Sequence, residues 1–498
     1  MTTDIKGRMA RGAVWMVALR LSVTLLGFVS TIVLARLLLP ADFGLVALGT
    51  AMVAAIDLLT SFRFDVALIQ NQAAGRDEYD TAWTLNQLLG LALALLLCVA
   101  AYPAALFYGE PRLAPIVFAL AIGAVLDGLQ NIGVVNFRRN LDFGREFIFT
   151  VSKKVVQVVV AAALAWEFRS YWALAAGILA SSVTGVIASY AMEPYRPRWS
   201  LTRAADLFHF SKWLVIDNVI FFMRHRSPSV IIGRFAGPTA VGLFTLAYEL
   251  ATLAHNNLTA PIDRAMFPGY SRMAQDRELL KSSYLSVAGM TALVALPVAV
   301  GTASVAPMLV PILFGDAWLG AIPVVQVLCL GSSIAMLGGG TTAVYLGLGK
   351  PRLLVWLGAT HVAIMLTVMS LLLPKLGLVG AGWAYVAASS VVLPLQLGIL
   401  QQVLQMSPML WVKRIWRPLG AVLTMHFCVV ELQIALEVPQ TNGARILDLL
   451  FVILCGVVGY VGAALVLWLV AGRPNGPEQY LLNAVRSRLG RPPPAVRP

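Results

Sequence analysis

Fourteen apolar segments, each long enough to cross a bilayer at about 20 residues per helix, recur near 12–35, 43–62, 82–107, 113–136, 147–166, 171–192, 212–233, 240–262, 283–306, 320–346, 353–373, 377–404, 416–437 and 446–471. In hydrocarbon every backbone N–H and C=O must be satisfied within the chain, and a segment of this length does so only as an α-helix. The expectation is an all-α integral membrane protein with about 14 transmembrane helices. Composition agrees, because 59% of the 498 residues are hydrophobic and 12% are charged, against roughly 45–50% and 25% in soluble domains. A water-soluble fold is excluded. The first segment, from Gly12 to about Ala35, is too long for the core of a cleavable signal and lacks a small-residue cleavage pattern. It reads as a retained first span.

The 37 Lys and Arg against 24 Asp and Glu leave a net charge of +13, and in a membrane protein such cations first report topology. With the N-terminus on the cytoplasmic side, 28 of them fall inside and six outside (Arg36, Arg112, Arg169, Arg234, Lys375 and Arg445), while Arg20, Arg224 and Arg226 lie within spans. Adding or dropping one span would invert every later loop and erase this bias, so both termini are expected to be cytoplasmic. Topology accounts for the basic charge, and nucleic acid is not an expected partner. Residues 196–212, RPRWSLTRAADLFHFSK, combine an N-cap candidate, Ser200, with Leu201, Ala204, Ala205 and Phe208 at helical spacing, which suggests a short interfacial helix. The tail from Arg473 onward, with Pro492, Pro493 and Pro494, reads as solvated and disordered. Cys98, Cys329, Cys428 and Cys455 stand alone in apolar stretches, with no zinc or disulfide spacing.

The chain also repeats itself. At an offset of 198, TIVLARLLLPADFGLVALG (31–49) aligns without a gap on SVIIGRFAGPTAVGLFTLA (229–247), matching Arg36 to Arg234, Pro40 to Pro238, Gly44 to Gly242, Leu45 to Leu243 and Leu48 to Leu246. Trp15 and Val17 fall on Trp213 and Val215 at the same offset. A shared loop Pro and Gly do not follow from hydrophobicity alone, so the first span pairs with the seventh. Six spans per unit is an even number, which makes the repeat parallel, about an axis along the membrane normal. The expected organisation is an N-terminal lobe over 1–193, an interlobe linker over 194–211, a C-terminal lobe over 212–405, two added spans over 406–472 and a cytoplasmic tail over 473–498. Two lobes enclosing a cleft are the architecture of a transporter.

Ionisable groups at bilayer depth cost roughly 2.5–3.5 kcal/mol each on insertion scales and face a cavity or a partner. The principal cations are Arg20 in the first span, Lys153 and Lys154 in the fifth, and Arg224 and Arg226 in the seventh; the acids are Asp57, Asp127, Asp217 and Glu249. Counted at about 1.5 Å per residue from Lys212, Arg224 lies roughly 18 Å deep. Arg224 and Arg226 are about 200° apart on a regular helix, and Pro228, which has no N–H for the Arg224 carbonyl, is placed to kink the span there. Arg20, Arg224, Arg226, Lys153 and Lys154 therefore form the expected cationic substrate site, suited to an anion such as a diphosphate. For Lys153 and Lys154 the alternative is snorkelling to headgroups, and for Arg224 and Arg226 it is pairing with Asp217 and other acids to lock helices. Asp57, Asp127, Asp217 and Glu249 are candidates for ion coupling or charge pairing. No metal or cofactor constellation stands out, and Gly349-Lys350 runs into Pro351 rather than completing a phosphate-binding loop. No loop on the outer side is long enough for the catalytic groups of a membrane-embedded polymerase, so an enzyme is not expected.

The runs RGAVW, LARLLLPADFGLVALG, ALIQNQ, FYGEPRL, FRRNLDF, IIGRFAGPTAVGLFTLAYEL, APIDRAMFPGYSRM and LGLGKPRL resemble the polysaccharide-biosynthesis, or Wzx-like, oligosaccharide flippases. That family is related to the multidrug (MATE) exporters and the peptidoglycan lipid flippase within the MOP superfamily. The resemblance covers about residues 8–405. It implies export of an undecaprenyl-diphosphate-linked oligosaccharide across the bacterial inner membrane by alternating access, for exopolysaccharide, capsule or lipopolysaccharide assembly. It also implies membrane lipids and polysaccharide polymerase or export machinery as partners, no cofactor, and a diphosphate held by Arg20, Arg224 and Arg226. A MATE-like drug or small-molecule antiporter is the alternative. One departure is that an acidic residue ahead of the isoleucine–glycine pair of the seventh span is replaced here by Pro228 or Ser229, so a coupling role resting on that acid does not carry over.

Overall fold

In the computed structural model, residues 2–58, 64–71, 73–204, 219, 222–436, 441–474, 476, 478 and 479 are described. Among them the structure is helical, with no strand. Twelve helices are long and apolar enough to cross a membrane, or thirteen when the bent pair Leu113–Gly128 and Ile132–Arg139 counts as one span. Fourteen were expected. About half of the seventh, expected over 212–233, lies outside the described residues, and the described part continues with the eighth as one 51-residue helical stretch, Phe222–Arg272. A Gly-Pro pair breaks that stretch at Gly237, where φ is 78° and ψ 178°, a backbone conformation that only glycine adopts without strain.

Contacts divide the chain into two compact units, Met1–Leu243 and Phe244–Pro498. The first contains α1 (Thr2–Leu37), α2 (Pro40–Asp57), α3 (Phe64–Gln70), α4 (Arg76–Tyr108), α5 (Leu113–Gly128), α6 (Val135–Arg139), α7 (Phe143–Phe168) and α8 (Trp172–Met192), and α9 (Ser227–Ala254) begins in it. Local chemistry fixes where these helices start. Pro40 opens α2, where its missing N–H costs nothing, and the Asp42 carboxylate accepts the Leu39 N–H at 3.0 Å. Asp142 caps α7 by accepting from the Arg145 N–H at 3.3 Å. In this unit α4 packs on α5, α7 on α8, and α1 on α7. Small residues allow the closest approaches: a Cβ on Gly177 of α8 would lie 2.8 Å from the Ala161 Cβ and 2.9 Å from the Gln157 carbonyl of α7. The tightest contact joins the two repeated motifs, since a Cβ on Gly44 would overlap the Pro238 carbonyl and one on Gly242 would overlap that of Pro40.

Of residues 196–212, where a short interfacial helix is expected, only 196–204 are described, with Ala204 helical. From Glu193 to Ser200 the chain is extended and is strapped across the start of α4, with a turn at Thr202 and Arg203. Asp80 is the anchor: its Oδ1 accepts from the Tyr195 hydroxyl at 2.5 Å and from the Arg198 N–H at 2.8 Å. The Ser200 N–H donates to Thr84 Oγ1 at 3.0 Å, and its Oγ accepts from the Thr202 N–H at 3.4 Å. The Asn131 amide donates to the Tyr195 carbonyl at 2.6 Å, and Trp199 meets Trp83 edge-on at 5.4 Å. Burial and the hydrogen bond to Asp80 push the Tyr195 phenol above its ordinary pKa. Backbone groups satisfied by α4 and by Asn131 have nothing to gain from helix formation. Ala205 and Phe208 of the expected helix lie outside the described residues.

The second unit continues from α9 through a π-helical turn (His255–Thr259) into α10 (Ala260–Arg272), then α11 (Arg277–Phe314), α12 (Ile322–Met336), α13 (Thr341–Gly347), α14 (Pro351–Leu376), α15 (Leu378–Leu404), α16 (Pro408–Ala435) and α17 (Asn442–Val470). Here α11 packs on α12, α14 on α15, and α16 on α17. One core joins Tyr270, Tyr284 and Tyr345, all fully buried. Another joins Leu296, Val422, Met425 and Val452. Large apolar side chains point outward throughout, including Leu25, Val159 and Leu447 at 62%, 59% and 68% exposure. In water such surface would aggregate; in a bilayer it is solvated. The start of the tail, expected to be solvated, is instead folded back. Trp468 donates to the Pro474 carbonyl at 3.1 Å, and Glu478 pairs with Arg417 at 3.1 Å with both side chains buried.

Candidate functional site

Two cavities lie within the first unit. The larger, about 600 Å3, is lined by residues of α2, α3, α4, α5 and α8 and carries three carboxylates, Asp57, Asp65 and Asp127, with Thr50, Asn86 and Ser182. The second, about 410 Å3, lies against α7 and is lined by Arg138, Lys153 and Lys154 together with Asp65, Glu146 and Thr150. The cavities have opposite character, one acidic and the other mainly basic, and share Asp65. Consecutive residues of α8, Ser182 and Ser181, line the first and the second respectively.

Local structure explains how charges come to be here. α5 ends at Gly128, and the chain bends by 68° before continuing through Ile132–Arg139. Asn131 stabilises the bend, its Oδ1 accepting from the Gly133 N–H at 2.9 Å. The bend places Arg138 beside the start of α7, where Glu146 Oε1 accepts from Arg138 Nε at 2.8 Å and from Nη2 at 2.5 Å. Arg138 Nη1 stands 3.8 Å from Asp65. On the other side of the bend, Gln130 connects the two cavities: its Nε2 donates to Asp127 Oδ1 at 2.8 Å and its Oε1 accepts from Lys153 Nζ at 3.3 Å. The amide orientation follows from charge, since the reverse would face NH2 toward an ammonium and oxygen toward a carboxylate. Lys153 also lies over the Phe149 ring at 5.3 Å, and Lys154 Nζ donates to Gln157 Oε1 at 3.4 Å.

The structure thus gathers Asp57 with Asp127, and Lys153 with Lys154. Of the other expected residues that are described, Arg20, Arg224, Arg226 and Glu249 do not line either cavity. Arg20 sits on α1 one turn before Val23, which lines the basic cavity. Arg224 is half-buried and Arg226 exposed, in a helical stretch interrupted at Arg226 two residues before the buried Pro228. Glu249 is exposed on α9, and Asp217 lies outside the described residues. The sequence reading missed Asp65, Gln130, Arg138 and Glu146. Both Arg138 and Glu146 fall between the apolar segments 113–136 and 147–166, and the bend after α5 sets Arg138 beside the start of α7. Gln130 carried a signal, because Asp127 and Gln130 are three residues apart and share a helix face.

The 198-residue offset also places Asp65 on Asp263. Asp263, on α10, accepts the Gly340 N–H at 2.9 Å, at the break between α12 and α13 where Gly340 has φ of 83°. Among the described residues no group of three or more His, Cys, Asp or Glu is arranged to hold a metal ion.

A bundle of membrane-crossing helices with ionised side chains gathered around internal cavities defines a multi-pass, all-helical membrane protein. Its fold is similar to that of solved membrane transporters, one of them from the MOP superfamily. A structure of the lipid II flippase MurJ in its inward closed conformation matches with a TM-score of 0.69 over 93% of this chain and 100% of that one, at 11% identity. An inward-facing multidrug-resistance MATE transporter of the MOP superfamily matches at 0.60, over 77% of this chain and 94% of that one, at 17% identity. At such identities the likeness concerns the fold alone. The chain belongs to the family described as polysaccharide biosynthesis protein, which matches residues 33–323, more than half its length. Among similar proteins are the succinoglycan biosynthesis transport protein ExoT of Rhizobium meliloti, 27% identical over 72% of this chain and 73% of its own. The lipopolysaccharide biosynthesis protein WzxC of Escherichia coli is 25% identical over 66% and 67%, and the teichuronic acid biosynthesis protein TuaB of Bacillus subtilis is 25% identical over 58% and 61%.

Proposed function

We propose that the protein is a flippase that carries a polyprenyl-diphosphate-linked oligosaccharide from the cytoplasmic to the outer leaflet of the bacterial inner membrane by alternating access. Its product feeds exopolysaccharide, capsule or lipopolysaccharide assembly, alongside polymerase and export machinery. The observation that carries this reading is the coincidence of membership in the polysaccharide biosynthesis protein family with the fold of a lipid II flippase. It is a transporter rather than an enzyme, with both termini cytoplasmic and two lobes related by a parallel repeat, the second beginning near residue 212 and followed by two added spans. The similar packing of α4 on α5 and α7 on α8 in one unit, and of α11 on α12 and α14 on α15 in the other, supports the repeat.

In this reading Arg20, Arg224 and Arg226, with Lys153 and Lys154, attract and hold the diphosphate, and the interruption at Arg226 ahead of Pro228 lets the two arginines depart from their regular spacing. Asp57 and Asp127, gathered in one cavity, are the favoured positions for a coupling ion, ahead of Asp217 and Glu249. A MATE-like antiporter of drugs or other small molecules is the second reading, favoured by the 0.60 fold match; the lysine-lined cavity is suited to anions and weighs against a cationic drug. The test is complementation of a deletion strain. Arg20→Ala and Arg224→Ala should lower surface glycan while the protein stays in the membrane at wild-type abundance. Loss of the protein itself would make these arginines structural ion-pair residues.

A further inference from the structure

We propose that one face of the α9–α10 stretch in the second unit is a glycan-binding track, on which Glu249, Asn256, Asn257 and Arg264 hydrogen-bond the hydroxyl groups of the oligosaccharide and so set which glycan is accepted. The inference rests on the flippase reading and adds to it the residues that meet the sugar. From Phe244 to Arg264 the exposed residues are these four, all of them polar. On α17 the exposed face is the reverse, with Leu447, Leu450, Leu454, Val457 and Val461, the surface that a bilayer solvates. Counted at about 1.5 Å per residue, Glu249 lies about 18 Å from the break at Gly237, and Asn257 about 22 Å from Arg272. That is too deep for short side chains to snorkel to headgroups, and polar groups at such depth face water or a polar partner.

The π-helical turn makes the track continuous. Pro261 has no N–H for the Asn257 carbonyl, and its ring crowds that group; the Ala260 N–H bonds instead to the His255 carbonyl, five residues back. The extra residue in the turn sets two neighbouring asparagines on one face. Asn256 follows Glu249 by seven residues, or two turns, and Asn257 precedes Arg264 by seven, whereas neighbours on a regular helix diverge by about 100°. Asn257 Nδ2 donates to the Leu253 carbonyl at 3.0 Å, which fixes that amide. Behind the track, Ala254 and Leu258 pack on Ala295, Ala299 and Met336, so the opposite face is committed to the core. One acid, one base and two amides carry no net charge and present donors and acceptors together, the complement of sugar hydroxyls, each of which both donates and accepts. Glu249 would repel a diphosphate and Arg264 a cationic drug, while a chain of sugars matches the full length. Phe267, 41% exposed about one turn beyond Arg264, adds an apolar ring for the C–H face of a sugar.

The experiment uses the full chain in phosphatidylcholine nanodiscs and two probes, undecaprenyl diphosphate and the lipid-linked oligosaccharide extracted from the deletion strain, with Kd from titration by native mass spectrometry. Wild type should bind the glycan-bearing lipid more tightly than the bare one. Asn256→Ala and Asn257→Ala should each weaken the glycan-bearing lipid about fivefold, the loss of one hydrogen bond of ordinary strength, and leave the bare lipid within about twofold. Glu249→Ala, which lies outside the π-helical turn and spares its geometry, should do the same. Glu249→Gln, which still accepts from a hydroxyl, should keep most of the affinity, and this separates sugar binding from a role that needs the charge. Gln402→Ala, an exposed amide on α15 away from the track, should change neither Kd. Full preference for the glycan-bearing lipid in Glu249→Ala, or in a double-asparagine variant with the wild-type melting midpoint, overturns the track and leaves the flippase reading intact. Equal weakening of both probes does so as well. Wild-type protein that binds neither lipid overturns the flippase reading, and the track with it.

Discussion

The folded-back tail yields a sharp quantitative test. Arg417 and Glu478 are 2% and 5% exposed, so neither charge has water to fall back on when its partner is removed. Glu478→Leu therefore leaves an uncompensated guanidinium in the second unit, a loss that costs about 3–5 kcal/mol. The unit, Phe244–Pro498, has a size for which about 2 °C is lost per kcal/mol. The apparent melting midpoint of detergent-solubilised protein, followed by fluorescence-detected gel filtration, should fall by about 6–10 °C. Combining Arg417→Met with Glu478→Leu removes both charges and should restore the midpoint to within about 2 °C, since apolar replacement of a buried pair is near neutral. A Glu478→Leu protein that melts with the wild type would refute the reasoning, because it would mean that the tail turn is not docked on α16.

Three further outcomes follow from the contacts. Gly44→Val and Gly242→Val drive a side chain into the backbone of the opposing motif; the cost should reach or exceed the usual 1–3 kcal/mol of overpacking and deplete folded protein in gel filtration, whereas Gly398→Ala, with nothing within 4 Å, should be tolerated. Asp80→Ala releases the strap from its anchor and should speed tryptic cleavage after Arg198 severalfold in the solubilised protein, with no change expected for Asp77→Ala. Asp263→Ala orphans the Gly340 N–H at a cost of about 1–3 kcal/mol, read as a lower melting midpoint, and Asp263→Asn, which keeps an acceptor, should recover most of it.

Hydropathy revealed the helices because a bilayer leaves the backbone one solution per apolar segment. It was blind to interruptions made by one or two residues. Nothing in the apolar run of residues 113–136 marks the bend after Gly128, yet that bend carries Arg138 from an expected loop to the wall of a cavity. The break at Gly237, by contrast, was legible: it falls in the gap between the apolar segments 212–233 and 240–262, beside the Pro238 of the repeated motif. The extended course of residues 193–200 was not legible, because the hydrogen bonds that hold it come from Asp80 and Thr84, more than 100 residues away. The tail misled for a related reason: its composition is that of a solvated segment, but one buried ion pair fixes its first turn. For the candidate site, the residue types were legible from the cost of burying charge, while their grouping was not. Lys153 with Lys154 and Asp57 with Asp127 required the folding of α5 and α7 around Gln130.

The central claim is translocation, and reconstitution measures it most directly. The purified protein would be placed in vesicles carrying a fluorescent polyprenyl-diphosphate oligosaccharide, with the glycan on the outer face removed by an impermeant glycosidase. The account predicts that the protected half of the glycan becomes accessible only when the protein is present, and more slowly with Arg224→Ala. Accessibility that matches protein-free vesicles, from a protein that is folded and inserted, would contradict it.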